Sequence, residues 1–241
     1  MTKVIFLHHS TGEAIWKGAT NRYIYKLTGK GDVQKHFHAY NRKNKTSYEI
    51  TAVNFPKSAP YGWNNYPYDY YNIWVRNAGS VPFMEEPTLE MLTPEYEVIV
   101  FKHCFPVSRI VADSGAPDID SDIKSLENYK LQYGALKEKM HQFPDNKFIV
   151  WTPAANTRLK SKEDEALRTR EFYNWMISEW DEKGDNIFIW DFYNYETEGS
   201  LYLTDTNAHG PDNSHPSVEF SARLAPLFGQ FIIDVIESKV E

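Results

Sequence analysis

The chain has 241 residues, 41% of them hydrophobic, enough to bury a full core in one domain or two small ones. Its net charge of −7 argues against sequence-independent nucleic-acid binding, which needs a basic face, and against docking on anionic membranes. No apolar run approaches the roughly 20 residues that span a bilayer. The run at 4–7 is also shorter than a secretion-signal core of about 7–15 residues, which favours a cytoplasmic setting.

The first strand signal is "KVIFLHH" (3–9), an apolar run that breaks on Ser10 and leads into a short helix. A basic segment follows, "KGDVQKHFHAYNRKNK", read as a solvated loop inside an insertion near 30–46. The second strand is "YEITAVNF" (48–55), and an aromatic insertion near 56–83 contains "PYGWNNYPYDYYNIW". The third, fourth and fifth strands are "YEVIVFKHCF", "NKFIVWTP" and "DNIFIWDF". Continuous β-branched and aromatic runs of this kind suit strands covered on both faces, as in a parallel sheet.

Helical spacing appears between and after these strands. The segment 118–143 places Ile123, Leu126, Tyr129, Leu136 and Met140 on one face, with Asp120 or Ser121 as N-cap. The segment 162–184 does the same with Leu167, Phe172, Trp175, Met176 and Trp180, and Gly184 as its stop. The last helix starts near Pro216 and buries Ile232, Ile233 and Val235. Strands alternating with helices imply right-handed crossovers. The expected fold is α/β: a three-layer α/β/α sandwich on a mainly parallel five-stranded, flavodoxin-like sheet, as a single domain over 1–241.

Sites in such sheets form beyond the carboxyl ends of the strands, where Ser10 lies. Two readings of Ser10 compete: the N-cap of the next helix, or a nucleophile whose neighbouring amides face an oxyanion. Far along the chain, "AHGPDNSHPSVEF" (208–220) sets Asp212 and His215 three positions apart in a polar turn. A serine hydroxyl needs a base, and the base needs an orienting partner, so this spacing lets one turn supply both. The competing reading is a plain turn before a proline-started helix. The lone Cys104 is expected as a buried structural thiol, and no disulfide can form within the chain.

Ser10 after the first strand, with "DNSHPS" before the last helix, resembles the layout of the SGNH/GDSL hydrolases. The resemblance implies a flavodoxin-like fold and a serine esterase or acyl hydrolase; no cofactor and no metal are expected, since the histidines show no ligand spacing. It implies Ser10, Asp212 and His215 as the catalytic triad and the Ser10 amide as an oxyanion donor. It also implies Gly79, about twenty residues before the third strand, as a further oxyanion donor. In two places the chain departs from the family pattern. "HHSTG" has His8 and His9 where the family has Gly-Asp, and "FKHCFPVS" lacks the expected asparagine, for which His103 is the nearby substitute. On the substrate side stand His9, by strand alternation, and Tyr61 and Trp63, in an insertion that reads equally as an aromatic wall suited to a small acyl group on a carbohydrate and as a loop packed by its own aromatics. The expected partner is a small-molecule or glycan ester, with neither nucleic acid nor membrane, and the oligomeric state is open. His36 and His38 lack the spacing of a metal motif. Rival functions on the same fold are a non-catalytic carbohydrate-binding protein and an acyltransferase using the same triad.

Overall fold

A computed structural model describes residues 1–62 and 65–240. The elements run β1 (Thr2–His8), α1 (Ser10–Lys17), α2 (Arg22–Thr28), α3 (Asp32–Asn44), β2 (Tyr48–Asn54), α4 (Pro67–Tyr71), α5 (Leu89–Leu92), β3 (Val98–Phe101), α6 (Leu126–His141), β4 (Lys147–Trp151), α7 (Glu163–Trp175), β5 (Ile187–Trp190), α8 (Phe192–Thr197), β6 (Ala208–Gly210), β7 (Asn213–Pro216) and α9 (Val218–Ile236). All five expected strands form one parallel sheet in the order β2-β1-β3-β4-β5. The register pairs His8 with Asn54 and Leu7 with Phe101, so the strand ends that matter for chemistry lie side by side.

Alternation along each strand divides the core between two faces. Val4, Phe6, Val100, Ile149 and Trp151 turn toward one face, where residues of α1, α3 and α9 cover them. Ile5, Leu7, Ile99, Phe101, Phe148 and Val150 turn toward the other, under α4, α6 and α7. Phe6 shows the density of packing: its ring lies 5.4 Å from Trp151 and 5.1 Å from Phe228. Each such ring contributes roughly 1.5–3 kcal/mol by leaving water. Helix α9 places Phe220, Leu224, Phe228 and Ile232 on one stripe at helical spacing, all buried. Gly31 lets α3 begin tightly against α1, since a Cβ there would meet the Trp16 carbonyl oxygen at 1.9 Å.

Several local expectations are corrected. The basic segment is no loop: it is α3, the crossover helix between β1 and β2, held by Val33 and Phe37 (i, i+4) against the face shared with α9. The aromatic insertion is largely core. Tyr66, Tyr70, Tyr71 and Trp74 are buried, on α4, the residue before it and the π-helical turn that follows, and Tyr70 and Trp74 pack on Phe101. Helix α6 starts at Leu126, capped by Ser125 rather than Asp120 or Ser121, and Ile123 is exposed ahead of it. On α7 the buried side is Ala166, Thr169 and Phe172, which leaves Leu167 outside. Its π-helical extension ends at Trp180, before Gly184. Pro216 closes β7, and Ser217 caps α9 by accepting from the Phe220 amide at 3.1 Å. The short antiparallel β6–β7 hairpin was not expected, because a polar Asp-Asn-Ser turn gives no apolar period.

Candidate active site

Ser10 is exposed and is the first helical residue of α1. His9, in extended conformation at φ −132 and ψ −178, holds the N-cap position, so the capping reading of Ser10 fails. The Ser10 hydroxyl instead lies 3.4 Å from Cys104 Sγ, at the end of β3. Gly12 makes this approach possible. A Cβ at Gly12 would meet His8 Cβ at 2.5 Å and Lys102 Cδ at 3.0 Å, so only glycine lets the first turn settle onto the strand ends.

The buried residues beneath Ser10 are polar. His8 lies against Phe6 with ring centroids 4.6 Å apart, and its Nδ1 is buried without a hydrogen-bond partner. Burial, and then the Lys102 charge, pushes its pKa down to about 3. His9 is buried and donates from Nε2 to the Pro56 carbonyl, which ties β1 to the start of the aromatic insertion. Its pKa is also lowered by burial, against the opposing pull of that bond. Lys102 is fully buried, with its Nζ 3.2 Å from Cys104 Sγ. Asn65 reaches in from the insertion to accept from the Cys104 amide.

The other half of the site comes from the β6–β7 hairpin, and β7 packs against α1. His215 Nδ1 donates to Asn213 Oδ1 at 2.7 Å, and the same oxygen accepts from the His215 amide at 3.1 Å. This pair fixes the tautomer and leaves the Nε2 lone pair outward. The ring stands edge-on to Phe105, with centroids 5.1 Å apart. Burial, then the Lys102 charge and His209, hold the His215 pKa below its ordinary value. A cavity of about 390 Å³ lies elsewhere, over the β1–β2 edge. The cavity at His215 is smaller, about 270 Å³, and is lined by Phe105, Arg109, Asn156, Lys160 and residues 212–215. Phe105, the residue after Cys104, lines this cavity; Ser10 does not, and among the described residues Ser10 and His215 make no direct hydrogen bond.

The remaining expected residues fall in different places. Asp212 is exposed on the cavity rim, and the bond to His215 Nδ1 comes from its neighbour Asn213. The Gly79 amide donates to Glu90, itself paired with Lys139 near the C-terminal end of α6. That is the amino edge of the sheet, opposite Ser10, so Gly79 supplies no oxyanion donor. His103 projects to the opposite face of the sheet from Lys102, between Tyr70, Phe101 and Tyr133, with both ring nitrogens unpartnered. It therefore does not replace the missing asparagine. Tyr61 packs inside its own insertion against Phe83, its hydroxyl accepting from Asn72, and Trp63 lies outside the described residues. Among the described residues, no three His, Cys, Asp or Glu side chains converge as a metal site requires. No described helix is long and apolar enough to cross a membrane.

Sequence reasoning missed Asn213, Asn156 and Lys102. Asn156 lines the cavity, buried, with its Nδ2 in a long 3.4 Å contact to the Phe105 carbonyl and its Oδ1 unpartnered. A lysine ending the apolar run "VIVFK" was the available signal for Lys102. Asn156 gave none.

No protein-family model matches the sequence, and no curated protein matches it. Among solved structures, a lipase/acylhydrolase from Enterococcus faecalis aligns over 100% of this chain and 98% of its own, with TM-score 0.52 and 14% identity. The chain has the fold of the SGNH/GDSL hydrolases. At that identity the likeness is one of fold. A carbohydrate esterase aligns over 97% of this chain and 65% of its own, with TM-score 0.41 and 12% identity.

Proposed function

We propose that the protein is a serine esterase or acyl hydrolase that cleaves a short-chain carboxylic ester. Ser10 Oγ attacks the carbonyl, His215 Nε2 takes its proton and later gives it to the leaving alcohol. Asn213 holds the imidazole. Asp212 is exposed on the same cavity rim and makes no direct bond to the imidazole. The Ser10 amide and the Asn156 side-chain amide are the oxyanion donors in this reading, Asn156 standing in for the asparagine absent after β3. The observation that carries the proposal is the Nδ1–H tautomer of His215, fixed by Asn213 on a hairpin packed against the helix that begins at Ser10.

The small cavity volume supports a short acyl group. Its lining of Arg109, Asn156 and Lys160 suits a hydroxylated alcohol such as a carbohydrate better than a long acyl chain. The buried aromatics of the insertion no longer count toward a sugar-stacking wall.

The test is hydrolysis of p-nitrophenyl acetate and of a long-chain homologue by wild type and Ser10→Ala. Turnover of the acetyl ester, lost in Ser10→Ala with the fold intact, is the expected result. Equal rates in both proteins would overturn Ser10 as nucleophile, and a long-chain preference would overturn the substrate class.

A further inference from the structure

Lys102 is an amine sealed in the core, where burial lowers its pKa from the ordinary lysine range. It is 1% exposed, with its alkyl stem against Gly12 and its ammonium 5.7 Å from the centre of the Trp151 ring. A buried charge requires a partner. The carboxyl whose charge acts on Lys102 is that of Glu196, which accepts from the Ala155 amide at 2.6 Å and makes no ion pair with Lys102. Burial pushes Glu196 well above the usual carboxylate range, which favours its neutral form. The histidines around Lys102, namely His8 and His9 on and after β1, His103 beside it and His215 on β7, are all shifted toward the neutral ring. Among the described residues, Cys104 is the group hydrogen-bonded to Lys102 Nζ, and its thiol can take a negative charge.

Cys104 Sγ is also where the donors converge. It receives Lys102 Nζ at 3.2 Å and the Thr11 amide of the first turn of α1, and it lies 3.4 Å from Ser10 Oγ. A helix N-terminus and an adjacent lysine are the surroundings that favour a thiolate. Burial opposes ionisation of Cys104, and the Lys102 charge with the Ser10 and Thr11 bonds outweighs it, so the thiol is shifted down.

We propose that Lys102 is a positioning residue for Ser10: it takes the proton of Cys104, and the resulting thiolate accepts a hydrogen bond from the Ser10 hydroxyl. The sulfur selects the Ser10 rotamer that keeps Oγ over the strand ends. The hydroxyl proton is held toward Sγ until His215 takes it, so the nucleophile is placed before substrate arrives. The Cys104 S–H bond is exchanged for an N–H bond on Lys102, no covalent bond forms between Cys104 and substrate, and His215 remains the base.

The inference rests on Ser10 as nucleophile, so the test has two readouts. The chain has one cysteine, which makes thiolate ultraviolet absorbance assignable to Cys104, with Cys104→Ala as blank. Titrated this way, wild type is expected to have its midpoint at least about one pH unit below the ordinary thiol value of about 8.5. Lys102→Met is expected to raise the midpoint by about one unit or more, and Ser10→Ala by less. A wild-type midpoint at or above the ordinary thiol value overturns the proposal. An unmoved midpoint in Ser10→Ala, an exposed substitution that spares the core, overturns it too, even if Lys102→Met does not fold. The second readout is the rate of Ser10 labelling by a fluorophosphonate across pH. Cys104→Ala is expected to slow it about tenfold and to remove the pH limb due to the thiolate, with partial recovery in Cys104→Ser. Labelling as fast as wild type in Cys104→Ala overturns the proposal, whereas no labelling in wild type removes the nucleophile reading itself.

Discussion

The two halves of the candidate site are built on opposite terms. Ser10 stands on a helix turn pressed onto buried strand ends, with His8, Lys102 and Cys104 beneath it. His215 stands on a two-stranded hairpin whose turn residues are exposed, oriented by a neighbour two positions back in the same turn. The first half is placed by the core, and the second by local backbone chemistry. Substitutions under Ser10 should therefore cost stability and activity together, whereas substitutions on the hairpin should cost activity alone.

The hardest break in that contrast is His215→Ala. It is expected to lower kcat/KM for an acetyl ester by about 10³–10⁴-fold with an unchanged melting temperature; a comparable loss of stability would show that the hairpin belongs to the core. The orienting role separates two neighbours. Asn213→Ala is expected to cost about 10–100-fold in kcat, several times more than Asp212→Asn. The reverse order would give Asp212 the direct bond during turnover.

On the core side, Gly12→Ala forces a Cβ against His8 and Lys102. The expected cost is about 1–3 kcal/mol in chemical denaturation, together with lower activity. Acid provides a graded version of the same test. With a folded-state pKa of about 3 for His8, the unfolded chain binds a proton between roughly pH 6.5 and 3 that the native state refuses. Stability is thus full above about pH 6.5 and falls by up to about 1.4 kcal/mol per pH unit per such histidine as pH drops. His8→Gln should flatten that slope by about one proton. The same lowering at His215 keeps its neutral form to more acid pH, so the acid limb of kcat/KM should lie below the ordinary histidine value. The smallest effect is expected at Tyr61→Phe, which removes a hydroxyl bonded within the insertion and should leave KM within about twofold.

Much of this architecture was legible because it rests on period. The strand runs are continuous where both faces are buried, and α9 repeats its apolar residues every turn. What period does not encode was misplaced. Segment 30–45 looked like a loop because only Val33 and Phe37 of its helix are buried, and charge dominates its composition. The aromatic insertion looked like a pocket wall because Tyr and Trp fit both surfaces and cores; only the fold shows Tyr70 and Trp74 under the sheet. At the candidate site, Ser10 and His215 are the residues that type and order single out. Asn213 and Lys102 are not among them, since a hydrogen bond across one turn and a lysine turned inward are decided by side-chain direction.

The anchoring of the aromatic insertion has a consequence for how this scaffold can vary. Asn65 grips the Cys104 amide, His9 grips Pro56, and Trp74 lies inside the core. The segment behaves as a keystone, not as an exchangeable arm. Excising it, or swapping in a shorter connection, would expose Phe101 and untie both strand ends that flank Ser10. On the proposed esterase reading, a change of substrate preference is therefore freest at Arg109, Lys160 and the hairpin rim, where side chains can change without the core being rebuilt.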